Sequence, residues 1–215
     1  MEHKSLSALL QSVENYLAQS ELKGEPAQLY APISYSMEQG GKRLRPMLTL
    51  LSCGIFSDAI EGAMPCAAAV EFFHNFTLLH DDIMDNAPIR RGKPSVFRKW
   101  NQNIAILSGD AMIVYAYQLL EKAPTELLPR LFNVFNTTAM KVFEGQQYDM
   151  DFESRDEVSI EEYVQMIDLK TAVLLSGAAR MGAMVGGASG EDLDHITRFA
   201  DELGLAFQLQ DDLLD

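Results

Sequence analysis

Apolar residues recur with a helical period along nearly the whole chain. Residues 4–20 carry Leu6, Leu9, Leu10, Val13 and Leu17, an i, i+3, i+4 stripe that predicts an amphipathic helix. Pro46 is suited to the first turn of a helix that runs through Leu48, Leu50, Leu51 and Ile55. A long helix is predicted from Met64 to Asp85, with Pro88 as its stop. Further helical stretches cover roughly 103–122, 126–151, 159–186 and 190–215, punctuated by Pro124, Pro129, Gly186-Gly187 and Gly190. No segment alternates with period 2, and no repeat, low-complexity run or long linker divides the chain. The expected class is all-α: one domain over 1–215, a single bundle of long helices.

Within this helical pattern, one acidic motif occurs twice, about 130 residues apart: Asp81-Asp82-Ile83-Met84-Asp85 and Asp211-Asp212-Leu213-Leu214-Asp215. Residues i and i+4 share a helix face, roughly 6 Å apart along the axis. Like charges at that spacing weaken a helix by about 0.2–0.5 kcal/mol per pair. Mg²⁺ offsets that cost, because it takes hard oxygen ligands from one or two carboxylates and fills its other positions with water and substrate phosphate. A solvated acidic face is the competing reading for either motif alone. Leu78, Leu79, Ile83 and Met84 around the first, and Leu205, Phe207, Leu209, Leu213 and Leu214 around the second, argue against it.

Net charge is −14, which disfavours nucleic acid as a partner. The cations are nonetheless gathered. Lys42, Arg43 and Arg45 form one cluster and Arg90, Arg91, Lys93, Arg98 and Lys99 another, so 8 of the 17 Lys and Arg residues sit in two windows. That pattern fits an anionic ligand brought in with metal. Gly40-Gly41 lets backbone amides approach an anion, and Pro46 starts a helix whose free N–H groups favour phosphate. A solvated basic turn is the alternative for this segment alone. Arg90-Arg91-Gly92 repeats the logic directly after the first Asp motif.

Cys53 and Cys66 make no metal or redox motif and read as buried free thiols, which suits a reducing compartment. The N-terminus does not read as a signal peptide, and no stretch approaches the roughly 20 apolar residues of a spanning helix. A soluble, cytoplasmic protein is expected.

The chain resembles a trans-isoprenyl diphosphate synthase of the polyprenyl synthetase family. The resemblance rests on five elements in order: Gly40 to Pro46; Asp81 to Asp85 with Arg90-Arg91-Gly92; Gly145-Gln146-Gln147-Tyr148-Asp149; Lys170-Thr171; and Phe207 to Asp215. It implies Mg²⁺ held by Asp81, Asp82 and Asp85 and by Asp211, Asp212 and Asp215, binding the diphosphate of an allylic substrate. Arg90 would touch that diphosphate. Lys42, Arg45, His74 and Arg91 would hold isopentenyl diphosphate. Lys170, Thr171 and Gln208 would line the reacting centre, around a central apolar cavity, in a homodimer. The implied reaction is head-to-tail condensation through an allylic carbocation.

Phe76 and Thr77, the fifth and fourth residues before Asp81, are implied to set product length, with geranylgeranyl diphosphate favoured and farnesyl diphosphate next. Phe72 and Phe73 read equally well as core. Family members continue for several helices beyond the second motif, so the expectation is a form lacking those helices. Two other classes stay open: a non-catalytic subunit of the same fold, and a ferritin-like di-iron bundle, for which Glu71-Phe72-Phe73-His74 supplies one Glu-x-x-His half and Asp192 to His195 a companion.

Overall fold

The computed structural model describes residues 5–214. Among the described residues there are ten α-helices: α1 Leu6–Gln19, α2 Ala27–Glu38, α3 Leu44–Phe56, α4 Met64–Met84, α5 Val96–Lys99, α6 Gln102–Leu120, α7 Leu128–Phe152, α8 Ile160–Ile167, α9 Val173–Gly186 and α10 Glu191–Leu214. Among the described residues the only sheet is a hairpin of two-residue strands, β1 Ile89–Arg90 and β2 Lys93–Pro94. The fold class is all-α, as the periodicity predicts.

Besides the one-turn α5, two helical features depart from the sequence reading. α2 is absent from the sequence reading: Pro32 lies inside it, and its buried residues are only Pro32, Ile33 and Ser36. The predicted helix over 159–186 is three pieces, because Asp168–Ala172 is π-helical between α8 and α9. Single π turns inside helices frequently occur at functional sites.

The chain forms two compact units. The first comprises residues 1–47 and 67–122, the second residues 48–66 and 123–215. In the first, α1 buries Leu9, Val13 and Leu17 on one face, while Leu6 and Leu10 of the same stripe are exposed. Ser5 caps α1 by accepting from the Ala8 N–H, and Asn101 caps α6 by accepting from the Ile104 N–H. α2 packs on α6, where the Ser108 hydroxyl donates to the Leu29 carbonyl at 3.0 Å. Phe72 and Phe73 are core, Phe72 meeting Tyr115 edge-on at 4.9 Å. α6 corrects one expectation: its 19 residues are long and apolar enough to cross a membrane by length and composition, a test that core helices also pass.

In the second unit, α9 packs against α7 and α10. Gly182 and Gly186, one turn apart, bring α9 onto the α3 backbone. A Cβ at Gly182 would lie 1.9 Å from the Thr49 carbonyl oxygen, and one at Gly186 2.5 Å from that of Cys53. Cys53 and Cys66 are buried free thiols, and burial pushes the Cys66 thiol up to about 12.

Candidate active site

The first Asp motif ends α4. Asp81 is half-buried in the last turn, and Asp85, exposed just beyond it, keeps the helical bond from its N–H to the Asp81 carbonyl at 2.8 Å. Asp82 differs from both. It is buried, and its Oδ1 accepts from Arg90 Nε at 2.9 Å and Nη2 at 2.6 Å. Burial raises the Asp82 carboxyl above its ordinary range despite the opposing pull of Arg90. Asp81 and Asp85 thus present two hard oxygen donors one turn apart in a partly wet setting, which fits Mg²⁺ completed by water and phosphate. Among the described residues no group of three His, Cys, Asp or Glu side chains converges as a metal cage.

Arg90 and Arg91 are held by the hairpin. Ile89 pairs with Pro94 and Arg90 with Lys93. The turn is Arg91-Gly92, both with positive φ (50° and 75°), as a tight two-residue hairpin turn requires. The Tyr35 hydroxyl donates to the Pro94 carbonyl at 2.8 Å, and Lys99 Nζ lies 3.6 Å from the Tyr35 ring centroid. The hairpin is thereby anchored at its far end.

Arg91 Nη1 donates to the Gly40 carbonyl. A Cβ at Gly41 (φ +147°) would lie 3.0 Å from Arg91 Nη2, so the second glycine makes room for this guanidinium. Lys42 is exposed and Arg45 stands in the first turn of α3. Arg45 shows some surface, yet burial still pulls its guanidinium down to about 10. His74, on α4, is held well below its ordinary value by burial first, then by Arg45, Arg91, Arg90 and Arg43. A neutral imidazole among four guanidinium groups is an environment suited to an anion. Arg43 belongs to the same basic run but is only 4% exposed, and it donates to Glu71 Oε1 at 2.6 Å and Glu14 Oε1 at 2.9 Å. That commitment of Glu71 removes the Glu-x-x-His half of a di-iron site.

Phe76 is 6% exposed, edge-on to His80 at 4.8 Å and beside Phe73. Its ring lies 3.4 Å from where a Gly109 Cβ would stand, so it packs against α6. The Thr77 hydroxyl donates to the His74 carbonyl at 2.8 Å, within its own helix.

In the second unit, Lys170 and Thr171 lie in the π segment. Glycines admit it on two sides. A Gly145 Cβ would stand 2.3 Å from the Lys170 nitrogen, and a Gly204 Cβ 2.6 Å from the Ala172 Cα. Lys170 Nζ pairs with Asp149 Oδ2 at 2.5 Å. The Thr171 hydroxyl donates to Gln208 Oε1 at 2.9 Å, Gln208 Nε2 donates to Asp212 Oδ1 at 2.7 Å, and the Tyr163 hydroxyl donates to Asp212 Oδ2. The bond to Asp212 raises Tyr163 to about 12. Asp211 is half-buried and Asp212 exposed; Asp215 lies outside the described residues.

Apolar cover around the second motif is partial: Leu205 and Phe207 are half-buried, while Leu209, Leu213 and Leu214 are 41%, 86% and 77% exposed. The buried residues of α10 are Leu193, Ala200 and Gly204, all upstream of the motif. Asp149 and Tyr163 were not singled out for a role from sequence. No spacing signal relates them to Lys170 and Asp212, which lie 21 and 49 residues away.

Residues 26–215 match the polyprenyl synthetase family model. The chain belongs to the polyprenyl synthetase family. It is 42% identical over 192 residues to the geranylgeranyl diphosphate synthase of Methanosarcina mazei, covering 88% of this chain and 59% of that one. It is 37% identical to the geranylfarnesyl diphosphate synthase of Natronomonas pharaonis, covering 89% and 61%. A crystal structure of a geranylgeranyl pyrophosphate synthase superposes with TM-score 0.95 at 48% identity, covering 98% of this chain and 64% of that one. The chain therefore spans about six-tenths of the length of these relatives.

Proposed function

We propose that the protein is a Mg²⁺-dependent prenyltransferase that condenses isopentenyl diphosphate with an allylic diphosphate into a short-chain prenyl diphosphate. The observation that carries this reading is the cation cluster of the first unit. There Arg91 fits against Gly41, the charges of Arg45, Arg91 and Arg90 reach His74, and Arg90 is bound to Asp82 between Asp81 and Asp85.

Asp81 and Asp85 would hold Mg²⁺ in the first unit, and Asp211 and Asp215 are the candidate metal carboxylates of the second. Bound Mg²⁺ neutralises diphosphate charge, which makes diphosphate a competent leaving group. Arg90, placed by Asp82, faces the allylic diphosphate. Lys42, Arg45, His74 and Arg91 take isopentenyl diphosphate. The allylic C–O bond breaks and releases diphosphate, the isopentenyl alkene attacks the resulting cation, and the new cation restores its double bond by giving a proton to the released diphosphate. The Thr171 hydroxyl and the Gln208 carboxamide present oxygen dipoles that steady a cation without attacking it, and Asp149 fixes Lys170 beside them. Asp212 serves in this scheme by orienting Gln208.

Geranylgeranyl diphosphate is the proposed product, with Phe76 and Thr77 setting its length. The geranylfarnesyl relative favours a product one isoprene unit longer as the second reading. A homodimer accords with Leu107 and Val114 of α6, which are 59% and 58% exposed, and a cytoplasmic location with the two free thiols. Incubating the full-length protein with isopentenyl diphosphate, each allylic diphosphate and Mg²⁺, then measuring product chain length, tests the proposal. A geranylgeranyl product is expected; no condensation with any allylic partner refutes it.

A further inference from the structure

Within the run Lys42-Arg43-Leu44-Arg45, the residue between the two proposed ligand contacts behaves unlike either. Arg43 has φ +48°, a left-handed conformation that a non-glycine residue rarely adopts. It is also the residue at which the loop becomes helix, since its carbonyl accepts from the Met47 N–H at 3.1 Å. Strain of this kind persists only where the surroundings enforce it.

The enforcement is visible around the guanidinium. Nη1 donates to Glu71 Oε1 on α4 at 2.6 Å, Nε to Glu14 Oε1 on α1 at 2.9 Å, and Nη2 to the Met37 carbonyl in the last turn of α2 at 3.0 Å. Asn75 Nδ2 braces Glu71 Oε1 from the next turn at 3.2 Å. Three helices are thus tied to one side chain. Its backbone sits between Gly41, which admits Arg91, and Arg45, whose charge reaches His74.

We infer that Arg43 is a positioning residue for isopentenyl diphosphate. It touches no ligand itself. Its fork holds the Gly40–Arg45 loop in the left-handed bend that sets Lys42 and Arg45, and a lysine, which has no planar fork, cannot replace it. The inference rests on the functional reading above, because it assumes that Lys42 and Arg45 bind the diphosphate.

The test uses the full chain with Arg43→Lys, which keeps the charge and loses the fork, and Glu71→Gln, which keeps a hydrogen-bond acceptor and loses the charge. Arg43→Lys should raise the isopentenyl diphosphate KM about tenfold to a hundredfold, the penalty of a misplaced contact, while kcat and the allylic KM hold. Glu71→Gln should show the same split at smaller size, and it carries the test if Arg43→Lys melts below assay temperature. In a Lys42→Ala/Arg45→Ala background the Arg43→Lys effect should shrink towards nothing, because Arg43 acts through those residues. An unchanged isopentenyl diphosphate KM in a folded variant overturns the inference, as does full additivity in that background. No turnover by the unsubstituted chain sinks the functional reading itself, a result distinct from either.

Discussion

The two acidic motifs share one spacing and have different surroundings. In the first, the middle carboxylate, Asp82, is buried and bound twice by Arg90, so it ties the hairpin to α4. In the second, the middle carboxylate, Asp212, is exposed and accepts from two neutral donors, Tyr163 and Gln208. In both copies the protein itself engages the middle Asp. The comparison teaches that the repeated sequence is one chemical device in two mountings. The middle Asp arranges a neighbour, a cation in the first unit and a carboxamide in the second, and the outer positions are the ones proposed to hold metal.

The largest expected effect tests the outer positions. Asp81→Ala or Asp85→Ala should cut turnover by about a thousandfold or more, as for loss of a main source of charge stabilisation, with helicity by circular dichroism unchanged. Near-normal turnover in either variant would break the distinction between outer and middle carboxylates.

The middle positions should separate by stability. Asp82→Ala strands Arg90 and removes two charge-assisted bonds, so it should cost about 1–3 kcal/mol in a denaturant melt. Asp212→Ala, at an exposed site, should stay within about 0.5 kcal/mol while still lowering turnover through Gln208. Equal stability losses would mean that the two mountings are alike.

A smaller effect concerns the anion site beside the first motif. Lys42→Ala and Arg45→Ala should each cost about 1.5–3 kcal/mol of diphosphate binding, read as a raised isopentenyl diphosphate KM with the allylic KM little changed. His74 sharpens the point through pH. Its folded-state pKa lies well below the ordinary 6.5, so the unfolded chain takes up the proton first as pH falls. The contribution of His74 to stability is therefore present above pH 6.5 and lost as pH drops towards the folded value. Bound diphosphate should offset the four guanidinium charges and move the ring's titration, followed by NMR, upward. No movement on saturation with diphosphate would place the ligand elsewhere.

The smallest effect on catalysis is a change of product rather than of rate. Phe76→Ala should lengthen the prenyl chain, and loss of this buried ring should also cost about 3–5 kcal/mol. Five residues from Asp81 amount to about 7.5 Å of helix rise and roughly 140° of rotation, so the ring acts on product length only where the chain bends below the metal site. Chromatography alongside a thermal melt decides it. An unchanged product from a destabilised enzyme would make Phe76 a core residue only.

Much of this arrangement was legible in the sequence. The periodicity of α1 and α7 is strong because each buries one face, α4 and α6 are legible as long apolar helices between breakers, and the Asp and Gly-Gly-Lys-Arg motifs are local patterns. What the sequence hid has a common physical origin in contacts made across long separations. Arg43 looked like one cation among three because nothing local pairs it with Glu71, 28 residues on. Asp82 looked equivalent to Asp81 because the hairpin that delivers Arg90 has no strand pattern. The π segment at Lys170 and Thr171 carries no compositional mark of its own. It exists where Gly145 and Gly204 leave space, and those glycines lie 25 and 34 residues from Lys170. α2 escapes the periodicity because a proline lies inside it and its apolar residues form no i, i+3, i+4 stripe that stays buried.

The measurement that bears most directly on the central claim is turnover of the full-length protein with isopentenyl diphosphate and an allylic diphosphate, first in EDTA and then across a Mg²⁺ titration. No product in EDTA, with activity restored as Mg²⁺ is added, is the predicted result. Full activity in EDTA would contradict the metal–diphosphate account of both Asp motifs.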